Sequence, residues 1–366
     1  MTLMKRRSFL TATAAAASAS IAAPAFAQSE PKLNWRLVSA YPKSLDVIFN
    51  TATMLADHVR ALTNGKFNIQ VFAAGELVPP FQSADAAAAG TVEMAYMPPQ
   101  YNWGKDPTWA LGSSIPFGLN TRQTNAWLYY GGGNDLLNDF YQQHGLYGLP
   151  CGNTSAQMGG WFRKEINSVE DLKGLKLRVG GYVGKVLEKL GAVPQAIPAG
   201  EIYTSLERGT IDAAEWIGPY DDEKLGLYKV APYYYYPGWW EGQSLIYTFV
   251  NAGKWKELPP VYQQAVRVAC EAVNANVVAH YDHENPQAIR RLVANGAKLR
   301  LFKKEVLDAC WNASNEVAAE LSSGNANFKK IYDSQAGFRR DAYLWAQIAE
   351  AGHDNYMMSL QREGKL

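Results

Sequence analysis

One arginine in this sequence is placed to bind an anion. Arg178 stands between Leu177 and Val179 in a short apolar strand and is followed by Gly180 and Gly181. A guanidinium is costly to bury unless an anion meets it, and its planar fork matches a carboxylate in a bidentate manner. The glycines would let a ligand approach closely. The pattern indicates carboxylate binding; the alternative is a strand residue that points outward or pairs with a structural acid.

Two other segments could contact a small ligand. Glu215 and Trp216 follow a predicted strand, and the indole would form an apolar wall; the alternative for both residues is packing between lobes. The run 233–240 (YYYYPGWW) is unusually rich in aromatic residues. Such a run stacks on a sugar or forms a hydrophobic wall beside a hinge.

The sequence shows none of the common catalytic motifs. It contains no G-x-S-x-G, H-E-x-x-H, phosphate-loop or dinucleotide-binding pattern. His280 and His283, three apart on a predicted helix, either share a metal or lie on a solvated helix face. We expect a protein that is not an enzyme. The remaining enzyme hypothesis is a secreted hydrolase or lyase that uses Glu215 with Glu241 or His144.

The N-terminus is typical of an exported protein. Lys5, Arg6 and Arg7 precede an alanine-rich apolar run, which ends in the small-x-small pattern at 25–27 that signal peptidase cleaves. The segment 6–10 (RRSFL) also looks like a twin-arginine signal, although Lys5 stands where Ser or Thr is usual. The alternative is an ordinary secretion signal.

Charge and cysteine content exclude several classes of partner. Removal of residues 1–27 takes away three basic residues and no acidic ones, so the formal net charge changes from +1 to −2. No basic excess remains to attract nucleic acid. The three cysteines have no C-x-x-C spacing, which excludes a metal knuckle or a redox motif. Whether any of them pair is left open.

The order of predicted elements indicates two α/β lobes. Strands and helices alternate from about residue 33 to 95, as in a mostly parallel sheet covered by helices, and the order recurs from about 175 to 214. Both stretches end in similar segments, 90–95 (GTVEMA) and 209–214 (GTIDAA). Ligands of open α/β sheets bind beyond the strand C-termini. A site is therefore expected in the cleft between the lobes.

Several segments resemble one family of transport proteins. The segments 171–178 (DLKGLKLR), 75–77 (GEL) and 209–212 (GTID) resemble the solute-binding component of TRAP transporters, of the DctP type. The segments 117–120 (FGLN), 215–222 (EWIGPYDD) and 233–240 look like the subgroup that binds 2-oxo acids, such as pyruvate, together with a metal cation.

The resemblance implies a role for individual residues. Arg178 matches the arginine that clamps the substrate carboxylate. Gln157 matches a residue whose side-chain oxygen holds the cation, and Glu215 matches the anionic ligand of that cation. Trp216 matches a residue that supplies a backbone carbonyl and whose ring forms a wall of the pocket. Three further residues stand where the family lines its pocket: Tyr101, Trp103 and Glu241. The segment 98–100 (PPQ) departs from the family pattern and leaves the size of the substrate open.

The resemblance also implies a fold with defined lobe limits. We expect a two-lobed periplasmic-binding-protein fold, each lobe a mixed, mostly parallel sheet flanked by helices. The expected parts are a signal peptide (1–27), lobe I (28–155 and 241–280), lobe II (156–240 and 281–333) and a C-terminal helical extension (334–366). Family members with a C-terminal helix like 342–358 can form homodimers through it.

A charge argument favours a bound cation. Glu215 and a substrate carboxylate in one small cleft would repel each other by several kcal/mol at low effective dielectric. Either Glu215 is protonated or a cation bridges the pair, and oxygen ligands suit Na⁺ or Ca²⁺. A single carboxylate favours Na⁺, with Ca²⁺ as the alternative. Together with this argument, the resemblance implies a periplasmic receptor that binds a small organic acid anion and delivers it to membrane permease subunits.

Overall fold

Two separate β-sheets form the cores of the two lobes. The computed structural model describes residues 30–366, so the predicted signal peptide lies outside the described residues. The strands are β1 (Leu33–Ser39), β2 (Phe67–Phe72), β3 (Met94–Met97), β4 (Leu146–Asn153), β5 (Trp161–Phe162), β6 (Lys176–Arg178), β7 (Val193–Gln195), β8 (Ala213–Ala214), β9 (Tyr233–Tyr236), β10 (Leu245–Asn251) and β11 (Lys298–Leu301).

Helices cover these sheets and continue to the C-terminus. The α-helices are α1 (Asp46–Leu62), α2 (Ser83–Ala88), α3 (Thr121–Tyr130), α4 (Gly133–Gln143), α5 (Gly181–Lys189), α6 (Ala199–Glu207), α7 (Pro219–Leu225), α8 (Ala252–Glu257), α9 (Pro260–Ala294), α10 (Lys304–Gly324), α11 (Ala326–Ala349) and α12 (Ala351–Arg362). Short 3₁₀ helices span Pro80–Gln82, Pro99–Asn102, Pro107–Gly112, Val169–Leu172 and Leu227–Lys229. Within residues 30–366, no helix combines the length and the apolar character that a membrane crossing requires.

Both sheets are mixed, as expected for this fold class. The first, which defines lobe I, has the order β2-β1-β3-β10-β4; β1 is parallel to both neighbours, whereas β10 is antiparallel to both of its own. The second, which defines lobe II, has the order β11-β9-β5-β8-β6-β7, and only β5 runs against its neighbours. Parallel pairs thus predominate in lobe II alone, because β10 enters lobe I after the chain has passed through lobe II. The residue limits of the lobes remain a prediction.

The two Gly-Thr segments adopt the same turn in both lobes. Gly90 and Gly209 have φ of 74° and 71°, in the left-handed region that glycine accepts at little cost. The amides of Thr91 and Thr210 each donate to the carbonyl five residues earlier, at 2.9 and 3.0 Å. Each turn leads into a strand that is parallel to one neighbour and antiparallel to the other. The predicted repeat of one local architecture is therefore confirmed.

One helix differs from its predicted form. We expect a long helix from Pro260 to about His280, broken or kinked near Asn285 and Pro286, whereas α9 continues to Ala294 with Pro286 inside it. Proline removes one backbone donor, but neighbouring elements can hold the helix together. The helix packs against α1 and β4 of lobe I and against α7 of lobe II. It therefore spans both lobes.

The C-terminal extension is two helices, of which the first is partly anchored in lobe I. A single helix is expected over 342–358, but the helical conformation is interrupted at Glu350, between α11 and α12. The buried Gln335 side chain donates to the Leu111 carbonyl at 2.6 Å, and Arg339 donates to the Phe117 carbonyl at 3.1 Å. The first half of α11 is thus part of the lobe I structure.

Candidate functional site

A cavity of about 30 Å³ lies between the two lobes, where several strands end. Lobe II contributes Gln157, Arg178, Glu215, Trp216 and Ile217. The residues from lobe I include Tyr41, Pro98, Gln100, Tyr101, Thr154 and Glu241. This is the position at which open α/β sheets bind their ligands. Of the sequence-predicted site residues, the structure thus brings all except Trp103 to one cavity.

Arg178 is the cationic group of this cavity. Its side chain is only 7 % exposed at the end of β6. The Nε group donates to the Ile197 carbonyl at 3.1 Å, and Nη1 donates to the Glu215 carbonyl at 2.7 Å. Nη1 also forms an ion pair with the Glu215 carboxylate. These contacts hold the guanidinium plane in one orientation, with its Cζ atom 4.9 Å from the centre of the Trp216 ring.

Strand pairing explains why Glu215 lies beside Arg178. β6 and β8 are parallel neighbours in which Arg178 is opposite Ala214, so the residue after Ala214 meets the guanidinium. Burial raises the pKa of the Glu215 carboxyl, while the positive charge of Arg178 opposes this change. Arg178 therefore does pair with an acid of the protein, as in the alternative interpretation of its sequence position. Its partner is the same Glu215 that was expected to hold a cation.

Gln157 presents a free acceptor to the cavity. Its Nε2 donates to the Thr154 hydroxyl at 3.0 Å, and that hydroxyl donates to the Ser155 carbonyl at 3.1 Å. Because the hydroxyl proton is already used, Thr154 must accept from Gln157, which orients the amide with its oxygen away from Thr154. Gln157 Oε1 is buried without a hydrogen-bond partner among the described residues. A buried amide oxygen without a partner is costly, and a bound cation would satisfy it.

A second carboxyl group, that of Glu241, lines the same cavity. It is buried and accepts a hydrogen bond from Gln100 Nε2 at 2.9 Å. Within residues 30–366, no Lys, Arg or His side chain lies within 4.0 Å of it. Burial raises the pKa of Glu241, and the hydrogen bond from Gln100 acts in the opposite direction. Gln100 Oε1 is itself buried without a partner in the described part of the chain.

Trp103 is not among the residues that line the cavity. Its ring is stacked on the ring of Tyr182, with centroids 6.1 Å apart and planes 12° from parallel. Tyr182 lies in α5 of lobe II, whereas Trp103 follows the 3₁₀ helix of lobe I. Trp103 therefore packs across the cleft instead of forming the cavity wall expected from the sequence, because its ring is directed toward α5.

The aromatic run 233–240 and His144 lie outside the cavity. Tyr234 stacks on Trp161 in the second sheet, and Trp239 stacks on Phe117, so the aromatic run forms hydrophobic packing. His144 lies between aromatic rings, 5.2 Å from the centroid of Trp109. Neither the aromatic run nor His144 contributes to the lining. The sugar and His144-based enzyme hypotheses thus lose the observations that motivated them.

The groups in the cavity that could bind a metal ion do so through oxygen atoms. They are Gln157 Oε1, the Glu215 carboxylate and the Trp216 carbonyl, a set that suits a hard cation such as Na⁺ or Ca²⁺. In the described part of the chain, no group of three or more His, Cys, Asp or Glu side chains could hold a metal ion. The residues therefore fit a cation that a ligand helps to coordinate.

Two buried aspartates support the segment that carries Glu215 and Trp216. Asp222 accepts hydrogen bonds from the Trp161 ring at 2.9 Å, the Tyr234 hydroxyl at 2.7 Å and the Ile217 amide at 3.2 Å. Asp221 accepts from the Tyr281 hydroxyl of α9 at 2.6 Å. Burial raises the pKa of Asp221 to about 7 and that of Asp222 to about 6.

Replacement of Asp221 by asparagine should change how stability depends on pH. The folded-state pKa is raised above the unfolded value, so the contribution of this group to stability is greatest at low pH and is lost as pH rises toward 7. We expect the wild type to lose about 3 kcal/mol relative to Asp221→Asn between about pH 5 and about pH 8, measured by urea unfolding. Asp57→Asn, at an exposed aspartate, serves as the control. Parallel pH profiles for wild type and Asp221→Asn would contradict this prediction.

Sequence patterns did not identify several lining residues. Tyr41 follows β1, Thr154 follows β4 and Ser244 precedes β10. Position at the end of a predicted strand is the signal that would have found Tyr41. Thr154 and Ser244 carry no comparable signal, since their role depends on a hydrogen bond of 3.0 Å from the Ser244 amide to the Thr154 hydroxyl.

The chain matches a family model over most of its length. Residues 38–324 match DctP, described as bacterial extracellular solute-binding protein, family 7. The chain belongs to this family. A curated relative is the monocarboxylate 2-oxoacid-binding periplasmic protein of Nostoc sp. PCC 7120, which is 44% identical over 366 residues, covering 98% of this chain and 100% of the relative.

Solved structures of family members are also similar. A TRAP transporter solute-binding protein from Bordetella bronchiseptica RB50, a dimer with copurified calcium and picolinate, has a TM-score of 0.90 and 48% identity, covering 91% of this chain and 99% of that one. A protein from Pseudoalteromonas atlantica T6c with bound sodium and pyruvate has a TM-score of 0.86 and 35% identity, over 88% and 99% of the chains. A protein from Colwellia psychrerythraea with bound calcium and pyruvate has a TM-score of 0.86 and 34% identity, covering 89% of this chain and 99% of that one.

Proposed function

We propose that this protein is the periplasmic receptor of a TRAP transporter and binds a 2-oxo or 2-hydroxy monocarboxylic acid together with a cation. The observation that carries the proposal is the presence of buried Arg178 and the unpartnered Gln157 Oε1 in one cavity between the lobes. Relatives that bind pyruvate with sodium or calcium support it. The receptor would deliver the acid to the membrane permease subunits.

Each lobe II residue has a distinct role in the proposed complex. The oriented guanidinium of Arg178 binds the ligand carboxylate. Gln157 Oε1, the Glu215 carboxylate and the Trp216 carbonyl hold the cation, and the Trp216 ring bounds the ligand on one side. Tyr101 and Glu241 complete the wall from lobe I. A bound cation supplies charge neutralisation between Glu215 and the ligand, so Glu215 need not be protonated when the acid binds.

The size of the cavity favours a small acid. Sites for drug-sized molecules have volumes of about 300–1,000 Å³, whereas the volume of this cavity is about 30 Å³. We therefore expect acids with a few carbon atoms to bind better than long-chain 2-oxo acids. Closure of the lobes about the ligand would be a hinge motion of the kind common in binding proteins.

Calorimetry provides the direct test of the proposed function. Pyruvate, longer 2-oxo acids and lactate are titrated into metal-stripped protein, each with and without Na⁺ or Ca²⁺. We expect binding of at least one short acid that depends on the cation, and no heat from a neutral sugar. Recovery of the acid chemically unchanged after long incubation would argue against a hydrolase or lyase. Absence of binding for all carboxylates would refute the proposal.

The second half of the C-terminal extension is a candidate dimer interface. Trp345 and Ile348 are 64% and 74% exposed, and the related Bordetella bronchiseptica protein crystallised as a dimer. We expect the double variant Trp345→Glu, Ile348→Glu to be monomeric and the wild type dimeric in light scattering, because the charges would prevent burial of this apolar face. Tyr130→Glu, at a residue that is 94% exposed, is the matched control and should leave the dimer intact.

Substitution is preferable to truncation near Ser334 in this test. Such a truncation would remove Gln335 and Arg339, which bond to lobe I. A monomer produced by truncation would therefore have two explanations. A wild-type monomer, or a dimer that persists in the double variant, would refute the proposed interface.

A further inference from the structure

The cavity is lined by two carboxyl groups and a single arginine. Glu215 and Glu241 both line it, with 5% and 6% exposure, and Arg178 is its cationic side chain. Tyr41 and Tyr101, which also line it, are neutral near pH 7, since burial raises their pKa values further above the usual value of about 10. Before any ligand binds, the two glutamates and the arginine together carry one net negative charge when both glutamates are ionised.

Arg178 is already paired with Glu215 and forms no salt bridge with Glu241 within residues 30–366. Nη1 donates to both the carbonyl and the carboxylate of Glu215, and Nε donates to the Ile197 carbonyl. Among the described residues, Glu241 has no cationic side chain within salt-bridge distance. Its hydrogen bond from Gln100 Nε2, at 2.9 Å, stabilises the ionised form without adding positive charge. A buried carboxylate in this position favours any bound cation nearby.

An organic acid increases this imbalance. With a bound monocarboxylate, the three anionic groups and one guanidinium carry two net negative charges. A sodium ion leaves one of these uncompensated, whereas a calcium ion neutralises both. Because the groups are shielded from water, a second positive charge on the ion should contribute measurably to its affinity.

We propose that Glu241 makes the site selective for a divalent cation, with calcium preferred over sodium. The inference rests on the proposed function and assigns to Glu241 a role beyond lining the wall. It acts through its charge and sets the charge of the ion that accompanies the acid. The expectation of sodium from the sequence considered Glu215 alone. The second carboxylate in the same cavity reverses that preference.

The test compares cation selectivity in wild type and in Glu241→Gln. Glutamine has nearly the same shape and can still accept from Gln100, so only the charge changes. Pyruvate is titrated calorimetrically into metal-stripped protein at constant ionic strength, with either CaCl₂ or NaCl as the sole added source of the ion. We expect wild type to bind pyruvate at least about tenfold more tightly with Ca²⁺, and Glu241→Gln to lose most of that ratio. Glu207→Gln, at an exposed carboxylate of lobe II, should retain it.

The ratio between the two ions separates a charge effect from a structural one. A general loosening of the cavity would weaken binding with both ions equally and leave the ratio unchanged, which would overturn the inference. Equal or tighter binding with Na⁺ in wild type would also overturn it, as expected if Glu241 carries a proton.

Titration with CaCl₂ alone distinguishes this inference from the proposed function. If no organic acid binds with either ion, the proposed function fails. The calcium titration then still reports on Glu241, since we expect Ca²⁺ to bind wild type about tenfold more tightly than Glu241→Gln. Equal calcium affinities in the two proteins would overturn the role assigned to Glu241.

Discussion

Arg178→Ala should weaken the binding of pyruvate, or of whichever short 2-oxo acid binds most tightly, by at least about 3 kcal/mol. The guanidinium is the buried cationic group of the cavity, and without it the carboxylate of the ligand would be desolvated without a cationic side chain to pair with. The loss corresponds to a factor of more than about 100 in Kd, which calorimetry at saturating cation would measure.

Arg178→Lys separates the loss of charge from the loss of geometry. Lysine keeps the positive charge but cannot donate simultaneously to the Ile197 carbonyl, to Glu215 and to the ligand in the planar arrangement of arginine. We expect it to recover only part of the lost affinity and to keep the protein folded, since Glu215 retains a cationic partner. Arg291→Ala, which removes an exposed pair with Glu223, is the control. Full affinity in Arg178→Ala would refute the proposed carboxylate clamp.

Glu215→Gln should abolish most of the cation dependence of acid binding. The substitution keeps an acceptor for Arg178 but removes the anionic ligand of the proposed cation site. We expect the cation affinity to fall by a factor of about 10–100, and acid binding at the cation concentration that saturates wild type to fall with it. The measurement is a series of pyruvate titrations at increasing cation concentration.

Whether pyruvate binds more weakly or more tightly to Glu215→Gln distinguishes two roles of Glu215. If Glu215 merely occupied Arg178, its neutralisation would free the guanidinium, and pyruvate would bind more tightly without any cation. If Glu215 holds the cation, binding must weaken. Glu165→Gln, which removes a surface carboxylate paired with Arg300, controls for a general change in charge. Tighter, cation-independent binding in Glu215→Gln would refute the proposed cation site.

Local sequence patterns predicted much of the architecture. The Gly-Thr segments identified equivalent turns in the two lobes because a left-handed glycine after a helix is a local requirement, independent of distant residues. Arg178 and Glu215 are both recognisable from sequence, since Arg178 lies inside a predicted apolar strand and Glu215 follows another predicted strand. Their contact required one further fact, the parallel pairing of β6 with β8. The continuous course of α9 through Pro286 was not predictable, because packing against both lobes overrides the local signal for a break.

The sequence by itself determined the lobes, the arginine and its neighbouring glutamate, because strand order and residue type are encoded over short distances. Only the tertiary structure decided which side chains of lobe I lie opposite Arg178 and Glu215 across the cleft. Gln100 and Glu241 are 141 residues apart and become hydrogen-bonded only when the ends of β3 and the segment before β10 come together. Trp103, close to Gln100 in sequence, is instead directed at Tyr182. The charge balance of the cavity, and with it the proposed choice of cation, is therefore a property of the packed lobes.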